Sequence, residues 1–223
     1  MGDVICTVDV VLLTLRTAAL HVLLHRRERE PFQNVLALPG GYVHPHTDRD
    51  TRDAALRVLQ DKLGIQSPYL EQLATFSGPA RDPRGWSVSV AYYALVPENL
   101  IGNGKDCSGT TALCPVDDLR GLPFDHAQIV ETAVHRVRNK SSYSSLPMHL
   151  CQAPFTLPQL QTVYEAVLGE PLNKVSFRRK MDELAVLEAI PGAFSSGNAH
   201  RPAQLYQLKP AWRHALSVTE RGI

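Results

Sequence analysis

A polar, serine-rich stretch at residues 139–145 divides the 223-residue chain into two segments with different patterns. Before it, runs of β-branched residues favour strands, whereas after it apolar residues recur at helical spacing. Pro147 and Pro154 follow the stretch and reinforce the break. A chain of this length can bury the core of one large domain or of two small ones. We therefore predict two domains, at residues 1–145 and 152–223.

The first segment has the pattern of a strand-rich domain with two helices. Runs rich in β-branched residues predict strands at residues 4–15, 21–25, 34–43, 69–76 and 86–95. The third strand is expected to break at the paired Gly40 and Gly41. Apolar residues at helical spacing predict helices at residues 51–63 and 125–138, and Gly64 is expected to end the first. Serine and valine alternate at residues 87–90, as in a half-buried strand, and the Gly, Ser and Thr of residues 102–111 predict a loop.

The second segment has the order of elements found in a winged helix-turn-helix. Thr156 and Gln159 have the spacing of a capping box, and the helix that follows carries one apolar face and ends at Gly169. A second helix has Phe177 and Met181 on its apolar face and basic residues on its other faces. Two short strands complete the order, at residues 186–190 and 204–208.

The charge balance argues against non-specific coating of nucleic acid or membranes, because 23 Lys and Arg residues are matched by 22 Asp and Glu residues. Basic residues are instead concentrated locally, at residues 174–180.

Asp9 and Arg16 interrupt the N-terminal apolar run, so we expect neither a signal peptide nor a membrane span. We therefore expect a cytoplasmic protein. The four cysteines lack zinc-site spacing, so free thiols are expected. His44 and His46 lack a third ligand, so we expect an exposed loop there.

Leu38-Pro-Gly-Gly-Tyr42, followed by a helix that ends at Leu63-Gly64-Ile65, resembles the Nudix box. In Nudix hydrolases, glutamates of this helix hold Mg²⁺ or Mn²⁺ against a diphosphate, because hard divalent ions prefer oxygen ligands. This sequence keeps Arg57 but has Val58 and Lys62 where the family has glutamates. A valine cannot bind a metal ion, and an ammonium group repels one. We therefore expect the Nudix fold without hydrolysis, with no catalytic residue, no metal and no cofactor.

A second patch, Arg81-Asp-Pro-Arg84-Gly-Trp86, is similar to a segment of Nudix proteins that handle ADP-ribose. Its two guanidinium groups suit a diphosphate, and Trp86 offers either a stacking face for adenine or a core side chain. Asp125 and His126 open the last helix of the domain, near the nucleotide pocket of related regulators, although Asp125 also suits an N-cap. The expected effector-binding residues are Gly40, Gly41, Arg57, Arg81, Arg84, Trp86, Asp125 and His126.

Three motifs of the second segment extend the resemblance over residues 4–208. They are Phe155-Thr-Leu-Pro-Gln-Leu160, Phe177-Arg-Arg-Lys180 and Arg201-Pro-Ala-Gln-Leu-Tyr206. Together with the Nudix-like first half, they resemble the NrtR family of Nudix-related transcriptional regulators of NAD metabolism. The resemblance implies an α+β chain in which a Nudix-like α/β/α sandwich precedes a winged helix-turn-helix domain. The family's wing often has a glycine before Arg-Pro-Ala, where this sequence has His200.

Members of this family are dimers that repress genes of NAD biosynthesis or salvage, and ADP-ribose or a related nucleotide releases them from the operator. The resemblance thus implies a repressor rather than an enzyme, with a homodimer bound to double-stranded DNA at a palindromic operator. Two alternatives remain open. One is an active Nudix hydrolase, such as an ADP-ribose pyrophosphatase, and the other is a regulator of the same architecture that governs sugar catabolism.

The expected DNA-binding residues are Lys174, Ser176, Arg178, Arg179, Lys180 and Arg201. Successive helical residues are about 100° apart, so with Phe177 and Met181 inward the two arginines face outward, toward the bases. Lys180 is expected to reach a phosphate or to pack its stem along the first helix. Arg201, on the wing, suits a minor-groove or phosphate contact. The alternative for the whole face is a solvated basic helix surface.

Overall fold

Strands dominate the first part of the chain and helices the second. The computed structural model describes residues 4–66, 69–101, 109–195 and 202–219. Its strands are β1 (Ile5–Arg16), β2 (Ala19–Arg26), β3 (Leu36–Ala37), β4 (Gly40–Tyr42), β5 (Tyr69–Gly78), β6 (Ser87–Leu95), β7 (Thr111–Pro115), β8 (Leu187–Phe194) and β9 (Gln204–Leu208). Its helices are α1 (Thr51–Leu63), α2 (His126–Ser141), α3 (Leu157–Leu168) and α4 (Lys174–Leu184). Within these ranges, no helix has the length and apolar character needed to cross a membrane.

β1 is the central strand of the first segment. Among the described residues, seven strands form one mixed sheet, in which β1 pairs antiparallel with β2 and β4 and parallel with β6. Val8, Val10 and Leu12 of β1 share a cluster with α1, whereas Val11 and Leu13 share one with α2. Helices therefore cover both faces of the sheet, which explains why this strand is apolar over most of its length. The expected α/β/α sandwich is confirmed.

α1 carries the signals that fix its bounds, and the predicted helix is confirmed. The Asp50 carboxylate accepts a hydrogen bond from the Asp53 N–H at the N-terminus. Gly64 ends the helix in the left-handed region, at φ 63°. A residue without a Cβ adopts this conformation at little cost, which is why a glycine closes the helix here.

The second segment folds around a core of its own. The capping box of α3 is confirmed, because the Gln159 N–H donates to Thr156 Oγ1 and the Thr156 N–H donates to the Gln159 side chain. Phe177 of α4 packs edge-on against Tyr164 of α3, at 5.3 Å between ring centroids. The antiparallel β8–β9 hairpin closes this core through Tyr206. The expected winged helix-turn-helix is confirmed.

The two segments also pack against each other. Val167 of α3 belongs to the apolar cluster on the α2 side of the sheet, and Tyr164 Oη donates to the Ser144 carbonyl at 2.9 Å. α2 runs to Ser141, so the predicted break at residues 139–145 overlaps its last turn. The domain bounds 1–145 and 152–223 stay a prediction.

Three details of the predicted strands are corrected. Gly40 and Gly41 do not break a strand but pair with β1 as part of β4, and the interruption falls at residues 38–39. Thr111, expected in a loop, begins β7, which pairs with β2. Residues 102–108, including Cys107, lie outside the described residues. β8 also extends to Phe194, beyond its predicted end at residue 190.

The alternation in β6 is real, but its faces are reversed. Ser87 and Ser89 are fully buried, whereas Val88 and Val90 are only partly buried. Hydrogen bonds explain the reversal, because the Ser87 hydroxyl accepts one from Arg81 and the Ser89 hydroxyl donates one to Asp9. The serines thus face a buried set of charged groups rather than solvent.

Candidate functional site

A cavity of about 780 Å³ lies between the sheet, α1 and the start of α2. Six of the eight expected effector residues line it: Gly40, Gly41, Arg57, Arg81, Arg84 and His126. Asp125 instead lines a neighbouring cavity of about 440 Å³. Trp86 is 47% exposed and lines neither of these cavities, so the core prediction for it is corrected, whereas adenine stacking stays a prediction. Trp86 lies immediately before β6.

Asp9 of β1 forms the floor of the cavity, and it was not among the expected effector residues. The residue is 6% exposed. Ser89 Oγ donates to Asp9 Oδ2 at 2.6 Å, and Arg81 Nη2 lies 3.4 Å from the same oxygen. Burial opposes the charge, but His126, Ser89 and Arg81 together lower the pKa of Asp9 below its ordinary value. An aspartate inside an apolar central strand was the available signal for this residue.

His126 is held in one orientation by the backbone. The Leu38 N–H donates to His126 Nδ1 at 3.0 Å, so this nitrogen is unprotonated. The ring proton therefore lies on Nε2, which is 3.6 Å from Asp9 Oδ1. The predicted place of His126 at the cavity agrees with the structure, and its neighbour on the floor is Asp9.

Arg81 is buried between two carboxylates. Its Nε and Nη2 donate to the two oxygens of Asp125 at 3.0 and 2.9 Å, and Nη2 also reaches Asp9. Asp125 does occupy the N-cap position of α2, but its side chain makes no capping hydrogen bond there. The N-cap position of Asp125 is therefore confirmed, but its carboxylate binds the Arg81 guanidinium through both oxygens instead of capping the helix.

The other two expected arginines are also engaged with carboxylates. Arg57 donates to both oxygens of Asp48, at 2.9 and 2.8 Å. These hydrogen bonds lower the pKa of Asp48 well below its usual range. Arg84 donates to both oxygens of Asp82, at 2.9 and 2.6 Å, and lies over the Tyr42 ring. Arg81 and Arg84 thus hold carboxylates of the protein itself, and their contact with a diphosphate stays a prediction.

Three further cations of the cavity, Arg27, Arg29 and Lys62, were not among the expected effector residues. Arg27 lies over the Phe124 ring, with its Cζ 4.8 Å from the centroid. Lys62 follows Val58 by one helical turn and lines the same cavity. Among the described residues, no group of three or more His, Cys, Asp or Glu side chains is arranged to hold a metal ion, and His44 and His46 form no such group.

The α4 helix presents a basic outer face. Lys174, Ser176, Arg178 and Arg179 are exposed, as predicted, while Phe177 and Met181 are buried. Val175 is 76% exposed and was not predicted to contribute. The Asn173 side chain caps the helix by accepting from the Val175 and Ser176 N–H groups.

Lys180 requires a correction. It is 4% exposed, because it lies on the same side of α4 as Phe177 and Met181. The prediction that it reaches a DNA phosphate therefore does not fit the structure, whereas burial of its stem does. Arg201 and His200 lie outside the described residues, so the predicted wing contact of Arg201 stays a prediction.

Comparison with known proteins names the two segments. Residues 7–136 match the NUDIX domain family, and residues 147–208 match the family described as the NrtR DNA-binding winged helix domain. A protein of Acinetobacter baylyi described as an ADPR responsive transcriptional repressor is 38% identical over 203 residues, covering 90% of this chain and 80% of that protein. The chain belongs to the NrtR family.

Solved structures of an NrtR protein resemble this chain both over its full length and over the NUDIX domain alone. NrtR of Shewanella oneidensis complexed with a 27mer DNA is 37% identical, with a TM-score of 0.86, covering 98% of this chain and 99% of that one. The NUDIX domain of the same protein complexed with ADP ribose is 35% identical, with a TM-score of 0.54, covering 61% of this chain and 90% of that one. The structural match to NrtR thus covers nearly the whole chain.

Gly40 gives a direct test of how the cavity floor is built. A Cβ at this position would lie 2.1 Å from Asp9 Oδ1 and 2.9 Å from the Val8 carbonyl oxygen, so a side chain would displace both. A Cβ at Gly41 would lie 3.2 Å from a Val58 methyl group, which can yield. We expect Gly40→Ala to lower the free energy of unfolding by roughly 1–3 kcal/mol in urea denaturation, and Gly41→Ala to cost less. Equal losses in the two variants would show that the approach of Asp9 to Gly40 does not matter.

The exposed residues of α4 predict which side chains contact DNA bases and which contact phosphates. Arg178→Ala and Arg179→Ala should each cost about 1–3 kcal/mol on the specific operator and relax base preference. Lys174→Ala should weaken binding to all sequences alike and reduce the salt slope by about one. Lys180→Met should leave the salt slope unchanged, because its side chain is buried. Affinities for operator and random DNA at several salt concentrations measure all four. Equal proportional losses on both DNAs in both arginine variants would mean that neither arginine reads bases.

Proposed function

We propose that the chain is a transcriptional repressor that binds operator DNA through α4 and leaves it when ADP-ribose, or a related nucleotide, occupies the cavity. The observation that carries the proposal is the presence, in one chain, of a cation-lined cavity in a Nudix fold and of an exposed basic helix in a winged helix-turn-helix. The Shewanella relative complexed with a 27mer DNA, and its NUDIX domain complexed with ADP ribose, support each half.

The DNA half of the proposal rests on the outer face of α4. Arg178 and Arg179 are exposed and can hydrogen-bond to base edges, and Lys174 at the helix start is placed for a phosphate. Val175 adds an exposed apolar group, which suits the methyl group of a thymine. One short helix reads few base pairs, so we propose a homodimer on a palindromic operator, acting in the cytoplasm where that DNA lies.

The effector half rests on the size and charge of the cavity. A volume of about 780 Å³ is within the usual range for small-molecule and cofactor sites. Six Arg and Lys residues line it, just after β2, on α1 and on the loop before β6, together with five Asp and Glu residues. Of these cations, Arg27 and Lys62 form no salt bridge with a carboxylate among the described residues. Such a lining suits an anionic ligand, and a nucleotide diphosphate supplies both the charge and the size.

We propose that the chain is not a hydrolase. Val58 is buried at a position where Nudix hydrolases carry a glutamate, and Lys62 brings a positive charge to the same helix face. Asp61 is the remaining carboxylate of α1 that lines the cavity within the described residues. One carboxylate beside an ammonium group is a poor site for a divalent cation.

We also propose genes of NAD biosynthesis or salvage as the targets of the repressor. Genes of sugar catabolism are the alternative, and the operator sequence decides between the two.

The repressor function predicts effector-dependent release. The full-length chain should bind a promoter fragment beside its own gene in a fluorescence anisotropy or gel-shift assay, and ADP-ribose should release it in a dose-dependent manner. Adenosine, which lacks the diphosphate, is the matched ligand control and should not release the DNA at the same concentration. A chain that binds no such promoter, or whose DNA complex is unaffected by ADP-ribose, would contradict the proposal.

The loss of hydrolysis has its own test. Incubation of the purified chain with ADP-ribose and Mg²⁺ or Mn²⁺ should release no appreciable AMP, as followed by chromatography. Val58→Glu should not restore activity, because Lys62 still repels a metal ion at that face. Metal-dependent AMP formation that co-purifies with the chain would favour the alternative, an active Nudix hydrolase.

A further inference from the structure

The positive charges of the cavity fall into two groups. Three arginines are neutralised by short salt bridges to carboxylates on the protein itself, in the pairs Arg57–Asp48, Arg81–Asp125 and Arg84–Asp82. In each pair the carboxylate takes one hydrogen-bonding edge of the guanidinium and offsets its charge. These arginines therefore shape the cavity walls and offer less charge to a ligand than an unpaired cation does.

The second group consists of Arg29, Arg27 and Lys62, of which Arg27 and Lys62 interact electrostatically with each other. Neither of these two takes part in a salt bridge among the described residues. The Arg27 guanidinium donates to the carbonyl oxygens of Pro31 and Arg29, which carry no formal negative charge. Desolvation, followed by the nearby Arg84, lowers the pKa of Arg27. Desolvation, followed by Arg27, lowers the pKa of Lys62. Asp9, Asp82 and Glu30 oppose this lowering at Arg27, and Asp9 and Glu28 oppose it at Lys62, but none of these carboxylates forms a salt bridge with either cation among the described residues. Two desolvated cations are stabilised when an anion lies beside both.

The position of Lys62 on α1 adds a second, independent observation. Lys62 and Val58 are four residues apart, so both belong to the helix face that lines the cavity. Val58 is 2% exposed and closes this face with an aliphatic surface. The face therefore brings an ammonium group to the cavity and has no pair of carboxylates to hold a divalent cation.

We propose that Arg27 and Lys62 together bind the diphosphate of the effector directly, with the Lys62 ammonium group supplying the positive charge that a divalent cation would otherwise bring. Effector binding then requires no metal ion. The inference rests on the proposed function, because it assumes that the cavity receives a nucleotide diphosphate. Arg27 contributes a planar fork of donors and Lys62 a compact point charge, a combination that suits two adjacent phosphoryl groups.

Isothermal titration calorimetry of the full-length chain with ADP-ribose tests this proposal. The wild-type chain should bind with the same affinity in EDTA and in Mg²⁺, within about two-fold. Lys62→Gln, which keeps an unbranched polar side chain of slightly shorter reach and removes its charge, should weaken binding by about 10- to 100-fold in both buffers. Arg52→Gln is the matched control, because it removes one exposed charge from the same helix outside the cavity. It should leave the affinity unchanged.

Two further measurements separate a role in binding from a role in folding. Lys62→Arg keeps the charge and should restore most of the affinity lost in Lys62→Gln. Arg27→Gln should weaken ADP-ribose binding by a comparable factor, and circular dichroism melts report whether each variant is folded. A wild-type affinity that requires Mg²⁺, or an unchanged affinity in folded Lys62→Gln, would overturn the inference while leaving ADP-ribose as the effector. No binding of ADP-ribose by the wild-type chain in either buffer would overturn the proposed effector, and this inference with it.

Discussion

The Arg81 guanidinium, buried between Asp9 and Asp125, is the interaction on which the rest of the first segment depends. It joins the central strand β1 to the start of α2, two elements that are far apart in the chain. Buried charges are costly unless they are paired and hydrogen-bonded, and here Ser87, Ser89 and His126 complete the set. This network explains the reversed faces of β6, the glycine at position 40 and the uncapped start of α2.

The same network explains why the cavity can accept an anion. Arg57, Arg81 and Arg84 are each paired with a carboxylate of the protein, and these pairs hold the cavity walls together. Arg27 and Lys62 are cations of the cavity that form no salt bridge among the described residues. α2 begins at this cavity with His126, and it packs against α3 of the DNA-binding segment. The two functional regions are therefore connected by α2 and by the core that α3 shares with the sheet.

Local signals in the sequence predicted much of the fold. The bounds of α1 and the capping box of α3 depend on residues within a few positions of each other, so a sequence pattern contains them. The resemblance to a known family then supplied the architecture and six residues that line the cavity. The partners of those residues were not predictable in the same way. Asp125 is 44 residues from Arg81 and Asp9 is 72 residues from it, and only the folded sheet brings them together.

Charge alone was also a poor guide to exposure. Lys180 lies in a basic run, yet its position three residues after Phe177 and four before Leu184 places it on the buried face of α4. Lys62 was interpreted from the sequence only as a residue that repels a metal ion, whereas the cavity gives it a place beside the proposed diphosphate.

The most direct test of metal-free effector binding is a crystal structure of the full-length chain grown with ADP-ribose and Mn²⁺, with anomalous data at the manganese edge. The diphosphate should lie against Arg27 and Lys62 with no manganese peak in the cavity. A manganese peak between Asp61 and the diphosphate would contradict this account.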